Sequence, residues 1–190
     1  MPPPDLTVYD DEELVARVRS GDRAAFGALV GRHQRAVLRV AAVISGSTEE
    51  ANDIVQDAMV KAYRGVGSYR GTSSVRSWML RVVANEAKNN VRGRVRRLRR
   101  DDRAAGRELR VATGADSAAF DHLEHEELAR ALGRLGANDR AVLGCRFVAD
   151  LSEAETASVL GVARGTVKSR TSRALDRLRL ELGGSGEESP

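Results

Sequence analysis

Between Ser152 and Leu182 the chain fixes two helices and the turn that joins them. Ser152 followed by Glu155 is the S-x-x-E pattern in which each residue bonds the other's backbone N–H, so a helix opens there and runs through Leu160. Gly161 takes a turn conformation that a Cβ would resist, and Gly161-Val162-Ala163 reads as a tight reversal. A longer helix follows from about Arg164 to Leu182, stopped by Gly183-Gly184. A short helix, a glycine turn and a longer basic helix make a helix-turn-helix. Ala157 is small where the two must cross, and Leu160, Val162 and Val167 lock the pair. On the second helix Val167, Ala174, Leu175 and Leu178 share the buried side. Thr171 lies among them, with its hydroxyl in reach of the carbonyl one turn earlier. Thr166, Ser169, Ser172, Arg173 and Arg177 lie opposite, flanked by Lys168 and Arg170. Short hydroxyls beside Arg and Lys are what a major-groove reader presents. An ordinary amphipathic surface helix is the plainer reading.

The same 3.6-residue period runs through most of the chain, and strict alternation is nearly absent, so the fold class is all-α. The sequence predicts a first helix after Asp10, with Leu14, Val15 and Val18 inward. A longer helix runs from Arg23 to Gly46, with Phe26, Leu29, Val30, Val37, Leu38, Ala41 and Ile44 as its stripe. Ser47 and Glu50 form another capping box. A helix from near Ser74 carries Val75, Trp78, Met79, Val82 and Val83 inward, then turns polar and basic from Asn85 to Arg100. Trp78 reads as plain core. Periodicity fades between Asp101 and Ala119. Beyond it, Leu123, Leu128, Ala131, Leu132 and Leu135 mark one helix. Asn138 caps the next, where Val142, Leu143, Cys145, Phe147 and Val148 supply apolar surface. The expected organisation is two small helical domains joined by a flexible linker, the second a four-helix domain with the helix-turn-helix. The boundaries are a disordered N-terminus at 1–9, a first domain at 10–100, a linker at 101–121, a second domain at 122–182 and a disordered tail at 183–190.

The helix from Asp53 to Arg64 has two faces. Ala51, Ile54, Val55, Ala58, Met59 and Ala62 gather on one side; Asp53, Gln56, Asp57, Lys61 and Arg64 gather on the other. Val60 falls in the middle of the polar side. An apolar centre within a charged ring has the composition of a docking surface, though lone surface valines are common.

The net charge of +4 hides an asymmetry. Residues 1–14 hold five acids and no Lys or Arg, whereas residues 88–110 hold ten Lys/Arg against Asp101, Asp102 and Glu108. Such a cluster points to a polyanion, nucleic acid first. No apolar run approaches a membrane span and no secretory signal opens the chain, so a cytoplasmic location with no membrane contact is expected. Cys145 is the sole cysteine and reads as a small buried hydrophobe. The chain holds no phosphate-binding glycine loop and no nucleophile motif, so it does not read as an enzyme and no cofactor is expected. His122-x-x-His125 with Glu126 lacks further ligands, so these read as surface histidines and no metal is expected. His33 reads as a helix-surface or core-edge residue.

Three stretches in this order and spacing resemble the extracytoplasmic-function group of alternative RNA polymerase sigma factors. They are Asp53-Ile-Val-Gln-Asp-x-x-x-Lys-Ala-Tyr-Arg64; Tyr69-Arg-Gly-x-Ser-Ser-x-x-x-Trp-Met-x-Arg-x-x-x-Asn85; and Leu151-Ser-Glu-Ala-Glu155 with Gly165-Thr-Val-Lys-Ser-Arg170. The resemblance implies a promoter-specificity subunit that is stress- or signal-responsive and acts as a monomer. Its partners would be core RNA polymerase (the largest-subunit clamp and the flap), promoter DNA and an anti-sigma factor. It implies core binding through Asp53, Gln56, Asp57, Val60, Lys61 and Arg64. It implies −10 recognition and melting through Ser68, Tyr69, Arg70, Thr72 and Ser73 around an extruded base, with Asn85, Lys88, Asn89 and Arg92 along the adjacent DNA. For the −35 element it implies Lys168, Ser169, Ser172 and Arg173 in the groove beside Thr166, with Arg164, Arg170 and Arg177 on phosphates. Two positions depart from the family pattern: Thr171 and Thr156 stand where relatives usually carry aliphatic residues. Arg103, Arg107 and Arg110 leave the linker less acidic than the family's. A stand-alone helix-turn-helix regulator is the rival reading, but it gives the Asp53–Arg64 face no task.

Overall fold

The computed structural model describes residues 6–105 and 123–183. Every regular element among them is helical. Asp10 opens α1 (Asp11–Arg19) with a reciprocal capping box to Glu13, and Asp22 caps α2 (Arg23–Ser45) by accepting from the Ala24 and Ala25 N–H groups. Gly46 ends α2 at φ 77°, in the left-handed region that favours glycine. Ser47 caps α3 (Thr48–Gly65) by accepting from the Glu50 N–H. The expected box closes on that side only: the Glu50 carboxylate turns to Arg94, at 2.6 Å, and the Ser47 N–H donates to the Ser45 hydroxyl. A 3-10 turn (Val66–Ser68) and an irregular loop lead to α4 (Val75–Ala105). The Ser74 hydroxyl accepts from the Ser77 N–H at its start. α4 runs five residues into the segment expected to be linker; residues 106–122 and the tail from 184 lie outside the described residues.

The second half begins with α5 (Leu123–Arg134) and α6 (Ala137–Leu143). A π-turn (Gly144–Val148), α7 (Glu153–Leu160) and α8 (Arg164–Gly183) follow. Three expectations fail here. Asn138 does not cap α6: Gly136 holds the cap position and no side chain bonds there. Phe147 is 59% exposed, because the wider π-turn rotates it out of the apolar phase. Leu128 is exposed as well. Elsewhere among the described residues the apolar stripes are buried or half-buried on the side where periodicity places them, with Trp78 and Cys145 buried. His33 sits at the edge of the core, its ring 2.7 Å from the Asp11 carboxylate.

The two halves pack on each other, with α2 against α6 and α4 against α7, and share one contiguous apolar core. Three arginines bridge them. Arg140, 2% exposed, donates from Nε to the Ile44 carbonyl (2.9 Å) and from Nη2 to the Ser45 carbonyl (3.4 Å). Its Nη1 donates to Gly133 (3.0 Å) and Leu135 (2.8 Å). One guanidinium thereby satisfies carbonyls at the ends of both α2 and α5, where helices leave acceptors orphaned and carry negative partial charge. Arg76 donates to the Ala149 carbonyl and Arg81 to the Ser158 hydroxyl, each at 2.6 Å.

Candidate nucleic-acid interface and docking helix

α3 separates its residues as its spacing requires. Ala51, Ile54, Val55, Ala58, Met59 and Ala62 are buried, and Asp53, Gln56, Asp57, Lys61 and Arg64 are exposed. Val60 is 45% exposed in the midst of that ring. Asp53 and Asp57 pair with nothing among the described residues, so their acceptors are free for a partner. Lys61 differs, since its ammonium pairs with Glu86 of α4.

The loop after α3 is tied down from beneath. The Arg19 guanidinium donates to the Val66 and Tyr69 carbonyls, and the Ser68 hydroxyl donates to the Gly65 carbonyl at 2.6 Å. Tyr69 departs from the expectation that it faces a base. Its ring is 6% exposed and lies 5.6 Å from Trp78, and its hydroxyl donates to the Ser73 carbonyl at 2.7 Å. Burial raises the pKa of that phenol, and the ring sets the loop's shape from within. Ser68, Arg70 and Thr72 stay exposed, and Ser73 is half-buried.

Along α4, Asn85, Asn89 and Arg92 are exposed and Lys88 is half-buried. Asn85 looks onto the α7–α8 turn, sharing a hollow with Ser158 and Gly161. Lys88, Arg92, Arg96 and Arg99 form one wall of a cleft of about 910 Å³ whose other wall includes Arg170, Arg173 and Arg177 of α8. Lys88, Asn89 and Arg92 of the −10 candidates and Arg170, Arg173 and Arg177 of the −35 candidates therefore meet at a single basic cleft. Burial, then Arg92 and Arg170, pushes the Lys88 pKa down, as expected where cations crowd together.

The helix-turn-helix forms as its sequence dictates. Ser152 and Glu155 complete both halves of their capping box, and Gly161 turns at φ 67°. Lys168, Ser169, Ser172 and Arg173 are exposed on α8, with Thr166 and Arg170 half-buried. Arg164 lies 3.5 Å from Glu153, and Arg177 pairs with Asp139. The back-bond expected of Thr171 is absent. Its hydroxyl and that of Thr156 are both buried with no hydrogen-bond partner. The two positions that depart from the family pattern are the two orphaned hydroxyls of this domain.

Sequence reasoning missed Arg140, Arg76 and Arg81. For Arg140 a signal existed: it shares a helix face with Leu143 and Gly144, and directly precedes an apolar run. No group of three or more metal-ligating side chains occurs among the described residues. The His122/His125 side chains lie outside them.

Residues 29–97 match the sigma-70 region 2 model and residues 131–180 match sigma-70, region 4. The chain is 38% identical over 173 residues to the ECF RNA polymerase sigma factor SigM of Mycobacterium tuberculosis, covering 91% of this chain and 85% of that protein. CnrH, solved in complex with the cytosolic domain of CnrY, superposes with a TM-score of 0.65 at 29% identity, over 92% of this chain and 97% of that one. The sigma factor RpoE of Bartonella quintana, solved with the anti-sigma factor NepR, gives 0.68 at 27% identity, over 83% and 96%. Matches to both regions in one chain disfavour the stand-alone regulator. The protein belongs to the extracytoplasmic-function group of RNA polymerase sigma factors and directs the polymerase to promoters.

Proposed function

We propose that the outer face of α3 docks on the clamp of core RNA polymerase, with the flap as a further contact, and that the rest of the chain reads a −35/−10 promoter. The observation that carries the docking assignment is Val60, held out of the core at the centre of free carboxylates. Asp53, Gln56 and Asp57 pair with a basic partner surface, Val60 fills its dry centre, and Lys61 and Arg64 lie at the rim. Ser68, Arg70, Thr72 and Ser73 hold an extruded base on a loop braced by Tyr69, returning the few kcal/mol lost on unstacking. Asn85, Lys88, Asn89 and Arg92 follow the adjacent strand. On α8, Lys168, Ser169, Ser172 and Arg173 enter the groove beside Thr166, while Arg164, Arg170 and Arg177 take phosphates. Residues 10–100 and 122–182 act as the two functional units of a cytoplasmic, non-catalytic monomer. Both solved neighbours were captured with partner proteins, which supports an anti-sigma factor as a further partner here.

Co-elution with bacterial core polymerase and transcription from a −35/−10 template test the assignment. Asp53→Lys with Asp57→Lys, and separately Val60→Asp, should weaken core binding at least tenfold while leaving the helical signal intact; unchanged binding overturns the clamp assignment. Arg173→Ala should cost about 1–3 kcal/mol of discrimination between promoter sequences if it reads a base. An equal loss on all sequences would assign it to phosphate alone.

A further inference from the structure

Four cations of α4 and three of α8 face one another across the cleft, with Asp139 as the single carboxylate among its lining residues. Asp139 is already engaged by Arg177, and none of Lys88, Arg92, Arg96, Arg99 and Arg170 pairs with a carboxylate among the described residues. The walls belong to different halves of the protein, so the crowding exists only while the halves are packed together. The buried Arg140 and the Arg76 and Arg81 bridges hold them so. Mutual repulsion opposes that packing, and a ligand that bridges both walls reverses its sign.

We infer that this cleft is a binding site for a compact multivalent phosphate, a short polyphosphate chain or the polyphosphate arm of a nucleotide, which locks the two halves together. Guanidinium forks match phosphate oxygens in pairs, and groups from both walls call for an anion of three or more charges. A volume of about 910 Å³ lies within the range of small-molecule sites, about 300–1,000 Å³. The consequence for transcription rests on the −10 and −35 assignments above. Those DNA elements lie about 25 base pairs apart, about 85 Å at 3.4 Å per pair, whereas Lys88, Asn89 and Arg92 of one reader and Arg170, Arg173 and Arg177 of the other line one cleft here. The closed protein cannot span both elements, so a ligand that favours closure competes with the promoter, at the cost of its differential affinity for the two states.

Titration calorimetry on the full chain, with sodium tripolyphosphate as probe and metal-free ATP in a second arm, tests the site. Sulfate at equal ionic strength controls for screening. One bound tripolyphosphate per chain is expected, with a raised Tm and no increase in the scattering radius. Arg92→Gln and Arg173→Gln, one from each wall, should each weaken binding at least tenfold with unchanged helicity, and Arg35→Gln on the exposed face of α2 should not. Tighter binding of ATP assigns the ligand to nucleotides, and tighter binding of tripolyphosphate assigns it to inorganic chains. Equal effects of sulfate, or equal losses in all three variants, overturn the site. Promoter-directed transcription by the unmodified protein is scored separately. Its presence without tripolyphosphate binding sinks this inference alone, and binding without transcription sinks the promoter assignments alone.

Discussion

In the region 2 half, α1 to α4 bury Leu14, Leu29, Ile44, Ile54, Met79 and Leu80 almost completely, and their large side chains fill the space between four helices. In the region 4 half the buried set among the described residues is smaller in number, with Ala131, Ala141, Cys145, Ala149 and Ala174 beside Leu135, Leu143, Leu151 and Leu160. That half also buries Thr156, Asp139 and the guanidinium of Arg140. Few residues can be buried in a unit of about 60 residues, so each polar group inside it weighs more. Region 2 carries its own core, whereas region 4 completes its core by leaning on α2 and α4. The contact between the halves combines that shared apolar packing with the hydrogen bonds that Arg140, Arg76 and Arg81 donate across it.

Arg140 is where that dependence is most open to attack. Arg140→Ala removes the donors of four carbonyls and leaves a cavity, at an expected cost of about 3–5 kcal/mol. Urea denaturation gives the total. Amide exchange should show α5 and α6 losing protection while the α2–α4 core keeps it. Lys cannot fork to two helix ends, so Arg140→Lys should recover only a minor part. Uniform loss of protection across both halves would show a single cooperative core and dissolve the contrast.

The orphaned hydroxyls sharpen the comparison in the opposite direction. Thr156→Val and Thr171→Val keep the shape and delete a buried group that bonds nothing, so each should stabilise the protein by about 1–2 kcal/mol. Thermal melts of the single and double variants check this. A loss of stability would show that the hydroxyls are satisfied by water.

The sequence made the region 2 helices legible because their apolar stripes are long and their ends are marked: Ser47, Gly46 and the α3 stripe act where spacing places them. Region 4 was less legible for local reasons. One extra residue in the π-turn shifted the phase and turned Phe147 outward. Among the described residues α5 packs chiefly along α8, and Leu128 stays uncovered. Periodicity cannot tell a buried arginine that caps two helix ends from a surface one. Among the site residues, the exposed ring of α3 and the basic face of α8 follow from period alone. The burial of Tyr69 does not, because its partners Trp78 and the Ser73 carbonyl are set by how the loop folds back. The meeting of the two basic faces is a tertiary fact that no local pattern encodes.

The smallest effect separates two caps, one in each half. Asp22 accepts from the Ala25 N–H and from Arg17, which lowers its pKa; Glu155 is lowered by its bonds to Ser152. A carboxylate whose folded pKa lies below its unfolded value contributes stability above the unfolded pKa and loses it as the pH falls through the folded one. Both caps should therefore hold at neutral pH and fray below the ordinary carboxylate range. Amide exchange at the first turns of α2 and α7, followed from pH 6 down to about pH 3, reads them separately. Glu155→Gln keeps an acceptor for the Ser152 N–H without a titrating charge, so it should flatten the acid response of α7 and leave that of α2 untouched. If α7 frays identically in the variant, its acid response does not come from Glu155, and the contrast between the two caps falls.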